Sequence, residues 1–238
     1  MDKVDLVSAS ARAGAIFEEP FLGWSPAIPT RFFKALYTTL NDEVSIQPTD
    51  LVGTSGNSLG DYSATLKIYG GSDTITLRPN GVLVDFPTIT PDRINFADDI
   101  MLKAYNGFLG EFAEVKVTSV EANSSWHLRL GDGDQLSRIL DLGTHPDLRV
   151  KSEAYSGHTL QPAIRFSLVD DNGVWSARAT IERSVLTDAN LFILREFALH
   201  DTSEFGVPEE QFELVRRIDN MILGKIGLNL ENSVKSHE

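Results

Sequence analysis

Residues 62–86 read YSATLKIYGGSDTITLRPNGVLVDF, and this stretch determines how the first half of the chain folds. Apolar and polar residues alternate in three short runs, which is the pattern of strands that bury one face. Gly70-Gly71 and Asn80-Gly81 separate the runs, and both dipeptides tolerate the positive φ of tight hairpins. The stretch therefore predicts a three-stranded antiparallel meander.

A long amphipathic helix is predicted directly after the meander. Thr90-Pro91 suits a helix start, because proline lacks an N–H that the first helical turn leaves unpaired. Apolar residues then recur at helical spacing as far as Phe112. Upstream, residues 4–17 predict a long strand with a candidate bulge at Gly14.

Two further segments lie between that strand and the meander. Phe32 to Leu40 have the apolar spacing of a helix, which predicts one behind Pro29-Thr30. Residues 48–60 are rich in Gly, Ser, Thr and Asn, which predicts a loop.

The second half of the chain repeats this plan. A short helix is predicted after Asp134 and a long one from Pro208. Strands are predicted at Val115–Val120, at Trp126–Leu130 and at about 148–155, 160–169, 174–184 and 190–200.

These patterns predict an α+β fold with two meander antiparallel sheets, each backed by a long amphipathic helix. The recurrence suggests a pseudo-duplication. The predicted halves are residues 1–113 and 114–230, followed by a polar tail at 231–238.

The composition narrows the classes of function. The chain has 238 residues, no cysteine and a formal net charge of −13. Disulfides, thiolate zinc sites and cysteine nucleophiles are thereby excluded. The acidity is spread over both halves, which opposes binding to nucleic acid. The sequence shows no apolar stretch long enough to span a membrane and no secretory signal, so we expect a bacterial cytoplasmic protein.

Two segments of the second half carry a family resemblance. Residues 163–168 (AIRFSL) and the final helix, with Phe212, Val215-Arg216-Arg217 and Ile222, resemble a sporadically distributed bacterial family of uncharacterised proteins. The order of strands and helix in this half also resembles the topology of SecB-like chaperones. The resemblances imply a binding or assembly protein and transfer no functional residue.

The sequence contains partial matches to functional motifs, but the residues around them do not fit those motifs. Gly56-Asn57-Ser58-Leu59-Gly60 matches a nucleophile elbow, but a polar loop precedes the serine and a strand follows it. Asp132-Gly133-Asp134 lacks the closing glutamate of an EF-hand. The best acid–base candidate is His200-Asp201 at a strand end. We expect no cofactor and no metal.

The second meander carries the residues of a candidate cationic face. If its apolar residues face the core, the basic ones line the opposite side. These basic residues are Arg149, Lys151, Arg165 and Arg178. Such a face could bind an acidic partner, a phosphate-bearing ligand or a nucleic-acid strand. The alternative is a solvated face whose cations pair with Glu153 and Glu182.

Phe21 and Trp24 form a second candidate binding site, in a proline-bounded segment between the first strand and helix. Exposed aromatic residues anchor interfaces well. The alternative is a loop that packs its tryptophan onto the sheet.

The leading functional hypothesis is a non-enzymatic, protein-binding subunit or chaperone-like module of a bacterial multiprotein system, of a defence or mobile-element type. Its partner is another protein or a second copy of the chain. The alternatives are a small-molecule or nucleotide-sensing domain that uses the cationic face, and an enzyme with a site near His200 and Asp201.

Overall fold

The computed structural model of the chain describes residues 4–69, 71–131, 133–141, 163–205 and 207–228. The strands of this part are β1 Val4–Phe17, β2 Leu51–Thr54, β3 Ser63–Ile68, β4 Asp73–Arg78, β5 Gly81–Ile89, β6 Val117–Leu130, β7 Ala163–Val169, β8 Trp175–Arg183 and β9 Leu191–Leu199. The α-helices are α1 Ala27–Leu40, α2 Ile94–Glu111, α3 Gly133–Asp141 and α4 Pro208–Lys225.

All nine described strands form one antiparallel sheet, in the order β2-β3-β4-β5-β1-β6-β9-β8-β7. The α+β class is therefore confirmed, but one sheet stands where the sequence predicts two. The reason is the long first strand, which has a pairing partner on each side. Ala13 pairs with Val84 of β5 on one side and with Ala122 of β6 on the other. This joins the two meanders into one surface.

Most apolar side chains of the strands point to one face of the sheet, and this face is buried. The register aligns Ala64, Leu77, Val82 and Ala15 across four neighbouring strands, and all four are buried. The helices cover this face. Helix α1 packs against α2 and β3, and α2 also contacts β5 and α4. Phe108 of α2 is fully buried and stacks on Phe17 with ring centroids 5.4 Å apart.

On either side of the central pair β1 and β6, the two halves have the same order of elements. Each half begins with a 14-residue central strand and continues through a helix and a meander. The last meander strand, β5 or β9, returns to pair with the central strand of its own half. A long helix, α2 or α4, follows at once.

Two segments that the sequence predicts to be irregular contain strand residues in the structure. Residues 117–130 form the single strand β6, although two strands are predicted there. Its pairing with the 14-residue β1 extends it through the polar middle. The predicted loop at 48–60 contains β2, a short edge strand held by pairing with β3.

The candidate bulge also lies elsewhere. Gly14 is in regular register with Leu83 and Glu121. The register shifts of β1 fall between Leu6 and Ser8, between Ala9 and Ala11 and between Ile16 and Phe17. The predicted strand at 148–155 and the tail at 231–238 lie outside the described residues.

Candidate functional site

The sheet has an open face, which we define as the side opposite the described helices. Its centre is small and polar. Ser10 of β1 and Ser125 of β6 share a hydrogen bond between their hydroxyl oxygens of 2.8 Å. Arg12 and Asn123 lie beside them and are exposed. The centre of the face is therefore low in relief and accessible to a partner.

Charges of both signs alternate over the open face. The basic residues are Arg12, Lys67, Arg78, Arg129, Arg165 and Arg178. The acidic residues are Asp5, Asp85, Glu121, Glu182 and Glu196. The face is thus nearly balanced in charge, whereas the whole chain has a formal net charge of −13.

His127 of β6 also lies on this face. His127 is half-buried, and its ring lies 4.8 Å from that of Phe192 between centroids. Its Nδ1 is 2.8 Å from the Ser184 hydroxyl. Burial lowers the pKa of His127, because it disfavours the imidazolium.

The structure brings two of the four predicted cations together. Arg165 of β7 and Arg178 of β8 share the open face and are offset by two residues, because Arg165 pairs with Thr180. Arg178 lies 3.7 Å from Glu196, measured between Nη1 and Oε2. Arg149 and Lys151 lie outside the described residues. The described part of the face therefore has mixed charge, as in the solvated alternative, with Glu196 as the partner.

Phe21 and Trp24 pack on the protein itself. Phe21 is half-buried against Phe17 and Phe112, with centroid distances of 5.5 and 5.6 Å. Trp24 is also half-buried and lies 6.0 Å from the ring of Tyr62. This arrangement corresponds to the packed alternative, and the exposed apolar residue of this segment is Leu22.

His200 and Asp201 are held apart by local contacts. His200 is exposed, and its Nε2 lies 2.9 Å from the Ser176 hydroxyl. Asp201 accepts hydrogen bonds from the backbone N–H and the hydroxyl of Ser203, which lowers the pKa of Asp201. His200 thus contacts a residue of β8, whereas Asp201 caps the turn that follows β9. The Ser58 loop is a short 3-10 turn capped by Asp61.

A feature that the sequence interpretation missed is a cavity of about 160 Å³ under the helices. It lies between the centre of the sheet and the pair α2–α4. The sheet contributes mainly small side chains, namely Ala9, Ala11, Ala13 and Ala122. The helices contribute larger apolar ones, among them Met101, Phe212, Val215 and Leu223.

Two ion pairs line the polar end of the cavity. Arg195 of β9 binds Asp219 of α4, with an Nε–Oδ1 distance of 2.7 Å and an Nη2–Oδ2 distance of 3.3 Å. Its third nitrogen donates to the backbone oxygen of Ala122. Arg216 of α4 lies 3.6 Å from Asp98 of α2, between Nε and Oδ2. Burial raises the pKa of Asp98 and of Asp219, against the attraction of the arginines.

Two oxygens of residues that line the cavity have no hydrogen-bond partner in the described part of the chain. They are Ser124 Oγ of β6 and Gln211 Oε1 of α4. The two residues are only 6% and 7% exposed. Buried polar groups are nearly always paired, so these two are exceptions that call for an explanation.

The sequence did contain a signal for this cluster. Arg195 occupies an inward position in the alternating run LFILREFAL, between Ile193 and Phe197. A charged residue at a core position needs a buried partner. The sequence does not reveal which residue supplies it, because Asp219 is brought there only by the packing of α4 on the sheet.

Comparison of the chain with protein-family models and with curated proteins returns no match. Within the described residues, no group of three or more His, Asp or Glu side chains is arranged to hold a metal ion. None of the described helices is both long and apolar enough to cross a membrane.

Proposed function

We propose that this chain is a non-enzymatic subunit of a bacterial cytoplasmic multiprotein assembly and that it binds a folded partner protein on the open face. The observation that carries the proposal is the extent of that face, which runs across nine strands without a described helix over it. At about 4.8 Å between strands, the sheet is about 38 Å wide. With strands about 20 Å long, the face offers roughly 800 Å², which is the area that each partner buries in a standard interface.

The charge pattern indicates the kind of partner. Arg12 lies opposite Asp85 across β1 and β5, and Arg178 lies opposite Glu196 across β8 and β9. Alternating charges favour a protein surface with the complementary pattern. A nucleic-acid strand would meet the repulsion of Glu121 and Glu196 near the centre.

The chaperone-like alternative finds less support on this face. Chains with exposed apolar segments need an apolar groove, whereas the centre here is formed by Ser10, Ser125 and Asn123. A small-molecule sensor based on cations is also less favoured, because Glu182 and Glu196 surround Arg165 and Arg178.

The test uses two charge reversals on opposite sides of the molecule. Arg12→Glu changes the open face, and Lys34→Glu makes the same charge change at an exposed position of α1. Tagged wild-type chain is used to isolate a stoichiometric partner from the native host after nuclease treatment, and the affinity of that partner is then measured for each variant. We expect Arg12→Glu to weaken binding about tenfold or more and Lys34→Glu to have little effect.

Equal effects of the two reversals, or no effect of either, would show that the partner binds elsewhere. Light scattering of the isolated chain tests the second copy as the partner. Self-association that Arg12→Glu abolishes and Lys34→Glu preserves would identify the open face as a homo-oligomer interface.

We also infer that the chain is a pseudo-duplication with halves at 1–113 and 114–230. The common order of central strand, helix, meander and helix supports this inference. Because β1 pairs with β6 and α2 contacts α4, and the chain crosses between the halves at one connection only, two chains divided after residue 113 should reassemble when produced together. Failure of the separate halves to associate would count against two complete folding units.

A further inference from the structure

We infer that the cavity between the central strands and the pair α2–α4 binds a small, uncharged, ring-sized molecule that carries a hydroxyl group. This site is separate from the open face, because the two lie on opposite sides of the same strands. The neighbours Ser124 and Ser125 show this arrangement: the first lines the cavity and the second is hydrogen-bonded on the open face.

The volume sets the size of the ligand. The cavity measures about 160 Å³, and apolar cavities near 150 Å³ accept a molecule the size of benzene. Alanine side chains on the sheet and apolar side chains on the helices supply the walls. Binding there is therefore driven mainly by burial of an apolar body.

The unpaired oxygens of Ser124 and Gln211 indicate which polar group the ligand carries. Ser124 Oγ can donate or accept a hydrogen bond, whereas Gln211 Oε1 accepts one. A hydroxyl group can serve either residue, because it both donates and accepts. Because both oxygens are buried in the structure, the hydroxyl of the ligand meets them only when the side chains turn toward the cavity, which rotation about the Cα–Cβ bond allows for Ser124.

The ion pairs set the charge. Arg195 already binds Asp219 through two nitrogens and Ala122 through the third, so each of its three nitrogens makes a hydrogen bond within the protein. The second carboxylate, Asp98, is balanced by Arg216. Because each aspartate that lines the cavity is paired with an arginine, an uncharged ligand leaves both ion pairs intact.

The entrance lies between α2 and α4. Asp98 and Arg216 line the cavity, and their side chains keep 40% and 54% of their surface exposed. A small molecule therefore enters past this exposed pair, without unfolding of the sheet.

The experiment compares phenol, toluene and benzoate, which share one ring and differ in polar group and charge. Binding to the full chain is followed by calorimetry and by the shift of the thermal unfolding midpoint. We expect phenol to bind more tightly than toluene, and benzoate to bind weakest.

Ser124→Ala should weaken phenol binding about fivefold and leave toluene binding unchanged. Ser125→Ala is the matched control, because it removes the neighbouring hydroxyl on the opposite face and should change neither. Ala11→Leu fills the cavity and should abolish binding of both compounds, and Val215→Phe fills it from the helix side should Ala11→Leu fail to fold.

Three results would overturn the inference. The first is no phenol binding at any concentration that leaves the chain folded. The second is phenol binding that persists in a folded, cavity-filled variant, which would place the site elsewhere. The third is equal binding of phenol and toluene with no effect of Ser124→Ala, which would remove the hydroxyl requirement.

Discussion

The buried ion pair between Arg195 and Asp219 should couple the sheet to α4 far more strongly than an exposed pair on the same strand. The Arg195 side chain is 5% exposed and that of Asp219 is 20% exposed. Arg195→Met removes the partner of a buried carboxylate and the donor to Ala122, and we expect it to lower the free energy of unfolding by about 3–5 kcal/mol. Asp219→Leu leaves the guanidinium unpaired and should have a similar effect.

The double variant should recover much of this loss. Two apolar residues of similar volume replace the two charges, and such replacements of a buried pair are often neutral or better. Because the double variant should cost no more than either single variant, the coupling free energy from the double-mutant cycle should be at least about 3 kcal/mol.

The matched control is the next residue of β9. Glu196 pairs with Arg178 on the open face at 3.7 Å, with side chains 49% and 59% exposed. Exposed pairs contribute about 0–1 kcal/mol, so the same cycle with these two residues should give a coupling below about 1 kcal/mol. Urea unfolding followed by circular dichroism measures all variants, provided that the denaturant slope is unchanged.

A coupling for Arg195 and Asp219 as small as that of the exposed pair would refute the reasoning. It would mean that water reaches the buried pair and screens it. In that case the charges around the cavity would also be hydrated, and the preference for an uncharged ligand would lose its basis.

Three further predictions concern packing and pH. An added Cβ at Gly107 of α2 would lie 2.7 Å from Thr39 Oγ1, whereas one at Gly110 would meet nothing within 4 Å. In urea unfolding, Gly107→Ala should therefore lower the stability by about 1–3 kcal/mol, and Thr39→Ala should restore it. Gly110→Ala should raise the stability by up to about 1 kcal/mol. Burial raises the pKa of Tyr105 to about 12 from the usual 10.0, so the native chain keeps a proton that the unfolded chain releases. The free energy of unfolding should therefore fall more steeply from pH 10 to 12 in the wild type than in Tyr105→Phe. Gly173 has a φ of 73° in the β7–β8 hairpin, a conformation that other residues adopt only with strain. Gly173→Ala should therefore lower the stability by about 1 kcal/mol in thermal unfolding. An unchanged stability would show that the turn relaxes.

Local patterns sufficed to predict most of the elements. The helix expected from Pro208 is α4, which begins at that residue, and the strand expected over 4–17 is β1. Both depend on information within a dozen or so residues: a proline at a helix start and an alternating run with small residues. The local pattern did not predict β6 as one strand, because residues such as Asn123 and Ser124 have low strand preference. They are held in the strand by pairing with β1 and β9 on either side.

The candidate site could be predicted only in part, because it depends on contacts between distant segments. The open face follows from alternation, and Arg165 and Arg178 lie on it as expected. Their acidic neighbour Glu196 comes from another strand, so the mixed charge could not be read from the second meander's cations alone. The cavity requires β1, β6 and α4 to meet.

The composition of β1 links the two proposed binding features. Central strands of a sheet usually carry β-branched residues, yet residues 8–15 of this one read SASARAGA. On one side of the sheet, the small alanine side chains of β1 leave room for the cavity. On the other side, its serines and Gly14 project little from the open face. A chain selected for stability alone would gain by enlarging Ala9, Ala11 or Ala13, because larger side chains would fill the space under the helices. The small residues at the centre therefore keep open the space that the proposed ligand fills. If Ala11→Leu stabilises the isolated chain but abolishes phenol binding, stability and ligand binding compete at this strand, as expected for a functional cavity.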